Sequence, residues 1–502
     1  MTDILDLTDI QGNIVRGYGR FGFPKARYQF FKIHDGEKAR DFVASVTERV
    51  TTSVTWGTGD PVVEKPKATT NIAFTFHGLQ ALGLPTASLI EFPQEFIMGM
   101  KARRAILGDD GPSAPEHWDP IWENTVDIWI SINGQSVDDI EDRYAWLQSL
   151  LQASEGGVEQ LVGHRGENGA QDLPYQEASV VYKDGQPTAM EHFGYTDGIS
   201  DPVFVGQPVR PGRVLGRGKL TESGGWEPLA TGEFILGHPD EAHEYPHAPI
   251  PRLLARNGSF MIYRKLHENV GSFHSLLDRA SANYPGGKGL LAAKFSGRWA
   301  DNGAPVVSAP DEASKAAWDQ RFEVANAEEQ DKMLSDFNFN GDLSGAKCPY
   351  SGHIRRINPR GSLEFGVKGA YDTPGALVNR RRILRRGLPY GEVKDKGRDD
   401  GNHGIIFMVV NASIERQFEF VQQQWINYGN DFKEGNDKEI LLGNHDDQCP
   451  SKMVIQVEPD SNEVPYFVDK IPRLVETRGG EYFFIPSLTA LRMIAAGSVD
   501  PT

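Results

Sequence analysis

The sequence predicts an α+β protein with two ferredoxin-like halves whose antiparallel sheets resemble those of a dimeric α/β barrel. The 502-residue chain is longer than a single hydrophobic core usually supports, which favours two domains. Between residues 28 and 162 the patterns read strand, helix, strand, and then strand, helix, strand again. This is the ferredoxin-like order, with helices covering one face of an antiparallel sheet. A looser version of the same order follows residue 259.

In the first half, the segment from Val126 to Ile132 alternates apolar and polar side chains and indicates a half-buried strand. Further strands are expected at 28–34, 71–77 and 158–162. Helices are expected at 36–50, 79–84, 88–103 and 137–152. Pro85 should end the second of these helices, because proline cannot continue a helix.

In the second half, strands are expected at 259–264, 404–410 and 481–485, and helices at 270–279 and 414–425. Residues 206–226 are rich in Gly, Pro and Arg and indicate a connection between the halves. The predicted division is therefore an N-terminal half 1–205, a connection 206–226 and a C-terminal half 227–502. Residues 300–346 are polar, and we expect them to form an irregular surface excursion.

The composition excludes several classes of function. A net charge of −17 argues against nucleic-acid binding, which needs a basic face. No apolar run of 18 residues is present, so no membrane partner is expected. The acidic N-terminus lacks the features of a secretory signal, and two cysteines are too few for a disulfide framework, so a cytoplasmic protein is expected, with a processed secreted form as the alternative. Whether it is a monomer or a homo-oligomer is left open.

The segment from Cys348 to Arg360 places His353 ahead of three arginines, Arg355, Arg356 and Arg360. A neutral imidazole can hold haem iron, and arginine suits the two haem propionates because its planar fork gives paired hydrogen bonds to a carboxylate. Taken alone, however, this segment fits a surface strand with a basic rim better than a site.

Two further segments add chemistry. Gly194-Tyr-Thr-Asp-Gly198 holds Asp197 between glycines that let the backbone approach a flat ligand, although in isolation a turn in which Asp197 bonds its own backbone explains it better. Ile383-Leu-Arg-Arg-Gly-Leu-Pro-Tyr-Gly391 carries Arg385 beside Arg386, and a basic helix end is its structural alternative.

Together these three segments, in this order, resemble the dye-decolorizing peroxidases. The matching patterns are GxxDG at 194–198, the Cys-Pro-x-x-x-His-Ile-Arg stretch around His353, and the Leu-Arg-Arg-Gly stretch around Arg385. The similarity runs from Ile10-Gln-Gly-Asn to Phe483-Phe-Ile-Pro-Ser and is strongest to the larger bacterial branch, which is related to the fungal enzymes. The resemblance implies two ferredoxin-like halves with haem mainly in the C-terminal half.

The resemblance also implies residue roles. His353 is expected to be the proximal ligand of a non-covalent haem b, since the sequence has no Cys-x-x-Cys-His. Asp197 and Arg385 are expected on the peroxide side, with Arg385 preferred to Arg386. The expected cofactor-binding residues are His353, Gly198, Ile405, Phe407, Arg355 and Arg360. The acceptor behind His353 is expected to be Glu439, with Glu415 as the alternative.

The activity implied is reduction of hydrogen peroxide and oxidation of dyes, phenols and other aromatic donors through a ferryl intermediate. A carboxylate at the proton-accepting position implies an acidic working pH, because an ordinary aspartate accepts a proton only weakly at neutral pH. Gly387 stands where other branches carry an asparagine, so no distal amide is expected. The main alternative function is haem delivery or iron release with incidental peroxidase activity. A third possible reading of the sequence is a structural pair of ferredoxin-like halves that binds no cofactor.

Overall fold

One antiparallel sheet of ten strands is shared by both halves of the chain. The structure is a computed structural model that describes residues 5–59, 61–166, 172–364 and 375–500. The strands are β1 Lys25–Ile33, β2 Ala68–Phe74, β3 Ile128–Gly134, β4 Val158–Gln160, β5 Gln176–Ser179, β6 Tyr182–Lys183, β7 Gln186–Pro187, β8 Lys219–Leu220, β9 Trp226–Glu227, β10 Ser259–Glu268, β11 Leu384–Arg385, β12 Leu388–Tyr390, β13 Gly404–Asn411, β14 Met453–Ile455, β15 Tyr466–Val468 and β16 Val475–Ile485. The large sheet runs β11–β13–β10–β16–β2–β3–β1–β4, with β12 beside β13 and β5 beside β1.

The strand order confirms the predicted fold. The first half has the order β2–β3–β1–β4, and the second half repeats it as β12–β13–β10–β16. Both are the ferredoxin-like order. The halves join where Phe484 of β16 pairs with Phe74 of β2. At the other end β5 and β12 lie against each other, so the sheet closes into a barrel.

The α-helices pack outside this barrel and in the insertions. They are α1 Gly12–Val15, α2 Gly36–Thr47, α3 Phe76–Ala81, α4 Thr86–Leu89, α5 Gln94–Met98, α6 Arg104–Leu107, α7 Val137–Ala153, α8 Arg252–Ala255, α9 Val270–Ser281, α10 Gly287–Ser296, α11 Glu312–Val324, α12 Ala327–Ser335, α13 His353–Ile357, α14 Ala376–Asn379 and α15 Leu488–Ala495. Short 3₁₀ turns connect several of them.

Helix starts follow their capping residues, which explains the good agreement in the first half. The Asp35 carboxylate accepts from the backbone N–H groups of Glu37 and Lys38 at the start of α2. Ser136 and Asp139 form a reciprocal capping box at the start of α7. Such caps satisfy N–H groups that have no partner within the helix.

The single helix predicted over 88–103 is wrong. This stretch divides into the end of α4, helix α5 and a 3₁₀ turn at Lys101–Arg103. Pro93 precedes α5 and has no N–H to continue the turns before it. Gly99 ends α5 with a φ of +74°, where the chain leaves the helical path.

Residues 300–346 were predicted to be irregular, and this is also wrong. Helices α11 and α12 lie here, and Trp318 of α11 is buried and stacked on Phe322. Too few apolar residues mark their faces for the periodicity to predict them. The helix predicted over 414–425 is present as two π-helical segments, Ile414–Glu419 and Val421–Ile426.

The segment 206–226 lies between the two repeats, as expected for a connection, and contains a 3₁₀ turn at Pro211–Val214 and strand β8. Its limits and those of the two halves stay a prediction. Within the described ranges no helix is both long and apolar enough to cross a bilayer. Cys348 is buried, Cys449 is exposed, and both are free thiols.

A buried ion pair ties β10 to the segment before β3. Lys265 Nζ lies 2.7 Å from Asp119 Oδ2, and each side chain is 1% exposed. Burial lowers the pKa of Lys265, and the charge of Asp119 opposes that effect. Removing one partner leaves an uncompensated charge inside the protein, which costs far more than the pair itself contributes.

We therefore expect Asp119→Ala to lower the free energy of unfolding by about 3–5 kcal/mol. Urea unfolding followed by circular dichroism measures this change. The exposed pair Asp278–Lys288 provides a matched control, and Asp278→Ala should cost less than about 1 kcal/mol. A double variant, Asp119→Leu with Lys265→Met, should recover most of the loss. Equal losses for the buried and exposed pairs would contradict the interpretation.

Candidate functional site

A cavity of about 690 Å³ lies against β10, β13 and β16 and receives side chains from both halves of the chain. Asp197, His353 and Arg385, which are separated by up to 188 residues, all line it. Gly198, Arg360, Ile405 and Phe407 line it as well. The structure thus brings together all but one of the site residues predicted from the sequence.

Asp197 lies on an ordered loop whose backbone folds back on itself. Its N–H donates to the carbonyl of Ala189 at 2.7 Å, and Met190 and Thr196 form a β-bridge. The carboxylate accepts from the N–H of Gly198 at 2.5 Å. Gly198 has a φ of +81°, and a side chain there would overlap the guanidinium of Arg20. The backbone conformation therefore favours glycine, and any larger residue would also displace the Arg20 side chain.

Two adjacent arginines hold this loop to β11. Arg385 Nη1 donates to Asp197, and Arg385 N donates to Asp201 Oδ1 at 3.1 Å. Arg386 Nη1 donates to the other oxygen of Asp201 at 2.9 Å, but Arg386 then turns away to bind the carbonyl of Ile14. Arg385 is therefore the member of the pair that reaches the cavity.

The charges around Asp197 determine its protonation. Burial raises the pKa of its carboxyl group, but the cations of Arg385 and Arg20 outweigh this effect and bring the pKa below its ordinary value. Asp197 is consequently an ionised acceptor at neutral and mildly acidic pH. Its open side faces the cavity.

The apolar wall comes from β13, where residues alternate between the core and the cavity. Ile406 is fully buried, whereas Ile405 and Phe407 are only partly buried because they face the cavity. Gly387 packs directly on the carbonyl of Ile406, which leaves no room for a side chain. The predicted absence of a distal amide is consistent with this packing.

His353 is the first residue of α13, and its imidazole is 24% exposed, toward the cavity. Its Nδ1 is buried and lies 3.4 Å from Glu439 Oε1, without the alignment of a hydrogen bond. The Glu439 carboxylate is fully buried and held by the N–H groups of Leu441 and Leu442. The structure therefore places Glu439 behind the imidazole, whereas Glu415 is exposed and its N–H bonds Glu95.

Four arginines at the cavity have no carboxylate within ion-pair distance among the described residues. They are Arg20, Arg298, Arg360 and Arg382. Arg298 and Arg360 both donate to the hydroxyl of Ser200, at 3.1 and 3.0 Å, and otherwise bind backbone carbonyls. Arg382 Nη2 is buried without any partner.

Burial and nearby positive charges lower the pKa values of these arginines. Burial, together with Arg217 and Arg385, lowers the pKa of Arg298 to about 9. Burial, together with Arg385 and against the charge of Asp201, lowers that of Arg382 to about 10. A buried cluster of like charges is costly unless anions enter it. The cavity is therefore built to receive an anionic group.

The chain is similar in sequence to known proteins. Residues 9–166 match the family described as the DyP dimeric alpha+beta barrel domain. A dye-decolorizing peroxidase from Mycetinis scorodonius is 28% identical over 98% of this chain and 88% of its own length. A multifunctional dye peroxidase from an Amycolatopsis species is 28% identical over 97% of this chain and 96% of its own.

Solved structures agree. The structure of an ancestral D-type dye decolorizing peroxidase superposes with a TM-score of 0.74 and 25% identity, covering 97% of this chain and 98% of that one. The chain is therefore similar to dye-decolorizing peroxidases in fold and, over nearly its whole length, in sequence. A fungal DyP-type peroxidase from Auricularia auricula-judae, at 23% identity and a TM-score of 0.73, shares the fold over 98% of this chain and 99% of its own.

One predicted site residue of this peroxidase is corrected by the structure. Arg355 does not line the cavity; it is fully buried and donates to Asp342 Oδ2 at 2.7 Å and to the carbonyl of Cys348 at 2.6 Å. Residues two positions apart on a helix face nearly opposite directions, so His353 and Arg355 of α13 cannot both point into the cavity. Arg355 holds the loop before α13 in place.

Sequence reasoning missed Arg20, Arg298 and Arg382. Arg20 directly follows the segment Ile10–Gly19, which is part of the resemblance, and this position could have marked it as a site residue. Arg298 follows the C-terminus of α10 and lies outside the motifs. Arg382 precedes the Arg385 segment within a run of three arginines, and nothing local distinguishes it from its neighbours.

Because the Arg382 charge is buried with one nitrogen unpartnered, Arg382→Met should stabilise the cofactor-free peroxidase by about 1 kcal/mol. Thermal unfolding of the cofactor-free protein measures this change. Arg355→Met is the matched control and should destabilise by several kcal/mol, since it leaves Asp342 buried and unpaired. Equal destabilisation by both substitutions would refute the claim that the cavity arginines are uncompensated.

Proposed function

We propose that the chain is a haem b peroxidase that reduces hydrogen peroxide and oxidises dyes, phenols and other aromatic donors. The observation that carries this proposal is the shared cavity of His353, Asp197 and Arg385, together with arginines that lack counter-ions. The names of its relatives, which include dye peroxidases, support the same donor class.

The residues present fit haem b. The imidazole of His353 would hold the iron, with the Glu439 carboxylate beyond Nδ1 steadying the ring and raising its basicity. Arg360, Arg298 and Arg382 would meet the two propionates, which supply the anions that this cluster lacks. Ile405 and Phe407 would supply apolar contacts to the ring, and Gly198 would let the backbone approach it closely. Arg355 is excluded from this role because its guanidinium is bound to Asp342.

When bound, the haem iron supplies the two-electron redox chemistry that cleavage of the peroxide O–O bond requires. The protein must move a proton from one peroxide oxygen to the other. Asp197 is ionised and faces the cavity, so it can accept the first proton and return it to the departing oxygen. Arg385 would stabilise the negative charge that develops on that oxygen.

The alternative function, haem delivery or iron release, requires no proton-accepting group beside a fixed cation in the cavity. The ion pair between Asp197 and Arg385 therefore favours peroxidase turnover. A cytoplasmic location is kept as part of the proposal, and the two unpaired cysteines support it.

Haem binding is tested by titrating the cofactor-free protein and following the Soret band. We expect His353→Ala to lose the histidine-ligated spectrum, since it removes the iron ligand. Arg360→Met should weaken binding about 10-fold or more, which corresponds to losing one charged hydrogen bond. Arg355→Met is the control, and the fraction of this variant that remains folded should bind haem with unchanged affinity. A parent protein that stays colourless would end the proposal.

The catalytic pair is tested by stopped-flow measurement of the reaction with peroxide. Asp197→Asn should slow the reaction by about 10²–10⁴-fold because the proton acceptor is lost. Arg385→Leu should slow it by about 10²–10³-fold. The controls are Asp278→Asn and Arg104→Leu, which carry exposed ion pairs outside the cavity and should react as the parent does.

The same measurements over a range of pH test the electrostatics. The parent rate should fall only below the ordinary pKa of an aspartate, because Asp197 must be ionised and its pKa is lowered. In Arg385→Leu the pKa of Asp197 should rise, so the acid limb of the residual rate should move to higher pH. An unmoved limb would mean that Asp197 is not the titrating group.

A further inference from the structure

Two carboxyl groups that the peroxide chemistry above does not use also line the cavity. Glu191 lies in the loop that carries Asp197, and Glu268 is the last residue of β10. The Glu268 side chain is buried, and its Oε2 is inaccessible and receives no hydrogen bond. Neither carboxyl group has a cation within ion-pair distance among the residues that the structure describes.

The two groups differ in their hydrogen bonds. Glu191 accepts from the N–H groups of Phe193 at 2.7 Å and Tyr195 at 2.6 Å, an arrangement that favours its ionised form. Glu268 lies beside Glu191; its carboxyl group accepts from the backbone N–H of His192, and its Oε2 receives no hydrogen bond. Two adjacent carboxylates without a cation, one half-buried and one buried, cannot both be ionised at low cost.

The missing donor is supplied if the pair holds one proton. A protonated Glu268 donates to Glu191, and this satisfies the oxygen that otherwise has no partner. Burial and the charge of Glu191 raise the pKa of Glu268 well above its ordinary value. Burial also raises the pKa of Glu191, although its backbone donors oppose this effect. Protonation belongs to the pair and not to either residue alone.

No surrounding group removes the need for this proton. His192 donates through Nε2 to the carbonyl of Tyr390 at 3.0 Å. His267 has one ring nitrogen near the carbonyl of His403 and the other near that of Asp399, and its neutral form donates to one of the two. Burial lowers the pKa of each of these histidines, so they are poor counter-ions. The titratable groups facing the pair are Asp197 and Tyr195 on the loop, His192 beside them, Tyr390 on β12, His403 before β13 and His267 on β10.

The cavity therefore contains two acids of opposite character. Asp197 is held ionised by arginines, whereas the Glu191–Glu268 pair is held singly protonated by burial. Environments that separate the protonation of neighbouring acids are the usual way in which one site supplies both an acceptor and a donor. Asp197 cannot store a proton between turnovers, and the pair can.

We propose that Glu191 and Glu268 form the proton-holding site of the cavity and supply protons to the Asp197 side during turnover. The inference rests on the proposed peroxidase function. Reduction of one hydrogen peroxide to two waters consumes two electrons, which come from the aromatic donors, and two protons. The pair releases one proton at a time toward the cavity and takes one back from solvent, so it ends each cycle unchanged.

The test uses Glu268→Gln. Glutamine keeps the shape and can donate an N–H to Glu191, but it cannot release a proton. In the cofactor-free parent at neutral pH, infrared spectroscopy should show a protonated-carboxyl C=O band that shifts in D₂O. The parent-minus-variant difference spectrum should contain that band. Absence of the band from this difference would overturn the proposal, and the measurement does not depend on haem or peroxide.

Stability against pH is the second measurement. A carboxyl group whose pKa is raised on folding stabilises the folded state fully below its unfolded pKa, near 4.5, and that stabilisation is lost as the pH rises through the folded value. The parent should therefore lose stability relative to Glu268→Gln as pH increases above about 4.5. A constant difference in melting temperature would contradict a shared proton.

Turnover of the haem-loaded enzyme is the third measurement. Glu268→Gln should lower the rate by about 10-fold or more and increase its solvent isotope effect, while the acid limb set by Asp197 stays in place. Glu95→Gln is the matched control, because Glu95 is another buried glutamate with a raised pKa but lies outside the cavity.

A parent that binds no haem defeats the proposed function. An active parent matched by Glu268→Gln defeats only this inference. Glu191→Gln repeats the test if Glu268→Gln does not fold.

Discussion

The contact between residues 197–201 and two adjacent arginines, Arg385 at the end of β11 and Arg386 after it, is the constraint on which the site depends. Asp197 and Asp201 come from the segment between the repeats, whereas Arg385 and Arg386 belong to the second repeat. Arg386 turns inward to bind the carbonyls of Asn13 and Ile14, so the same four charges also fix the N-terminal segment. The Asp197 carboxylate is thus held in position by the same interactions that bring the distant segments of the chain together.

In the part of the chain that the structure describes, several buried arginines around the cavity lack a carboxylate partner. Some buried cations elsewhere are matched, as Lys265 is by Asp119 and Arg355 by Asp342, whereas Arg16 and Lys294 bind backbone carbonyls. At the cavity Arg298, Arg360 and Arg382 have no such partner among the described residues, and burial and neighbouring arginines lower their pKa values. Stability lost there in the cofactor-free protein is regained when anions bind, which links cofactor affinity to folding. The negative net charge of the whole molecule gives no indication of this local excess.

Agreement between sequence and structure follows the strength of the local signals. The sequence predicted strand β3 and the capped helices α2 and α7. Hydrophobic periodicity and capping residues both act over only a few neighbouring positions, so a short stretch of sequence contains them. The helix expected over 88–103 failed where Pro93 intervenes, and α11 was missed because its polar surface hides the burial of Trp318. Tertiary packing decides such segments, and no window of sequence contains it.

The sequence by itself predicted the repeated strand order, singled out His353, Asp197 and Arg385 as candidate reactive groups, and showed a resemblance to the dye-decolorizing peroxidases. Each depends on residue type and spacing along the chain. Only the tertiary structure decided that Glu439 and not Glu415 lies behind His353, that Arg355 is bound to Asp342 while Arg360 reaches the cavity, and that Glu268 meets Glu191. These outcomes depend on the directions of side chains and on contacts between distant segments, which the order of residues does not record.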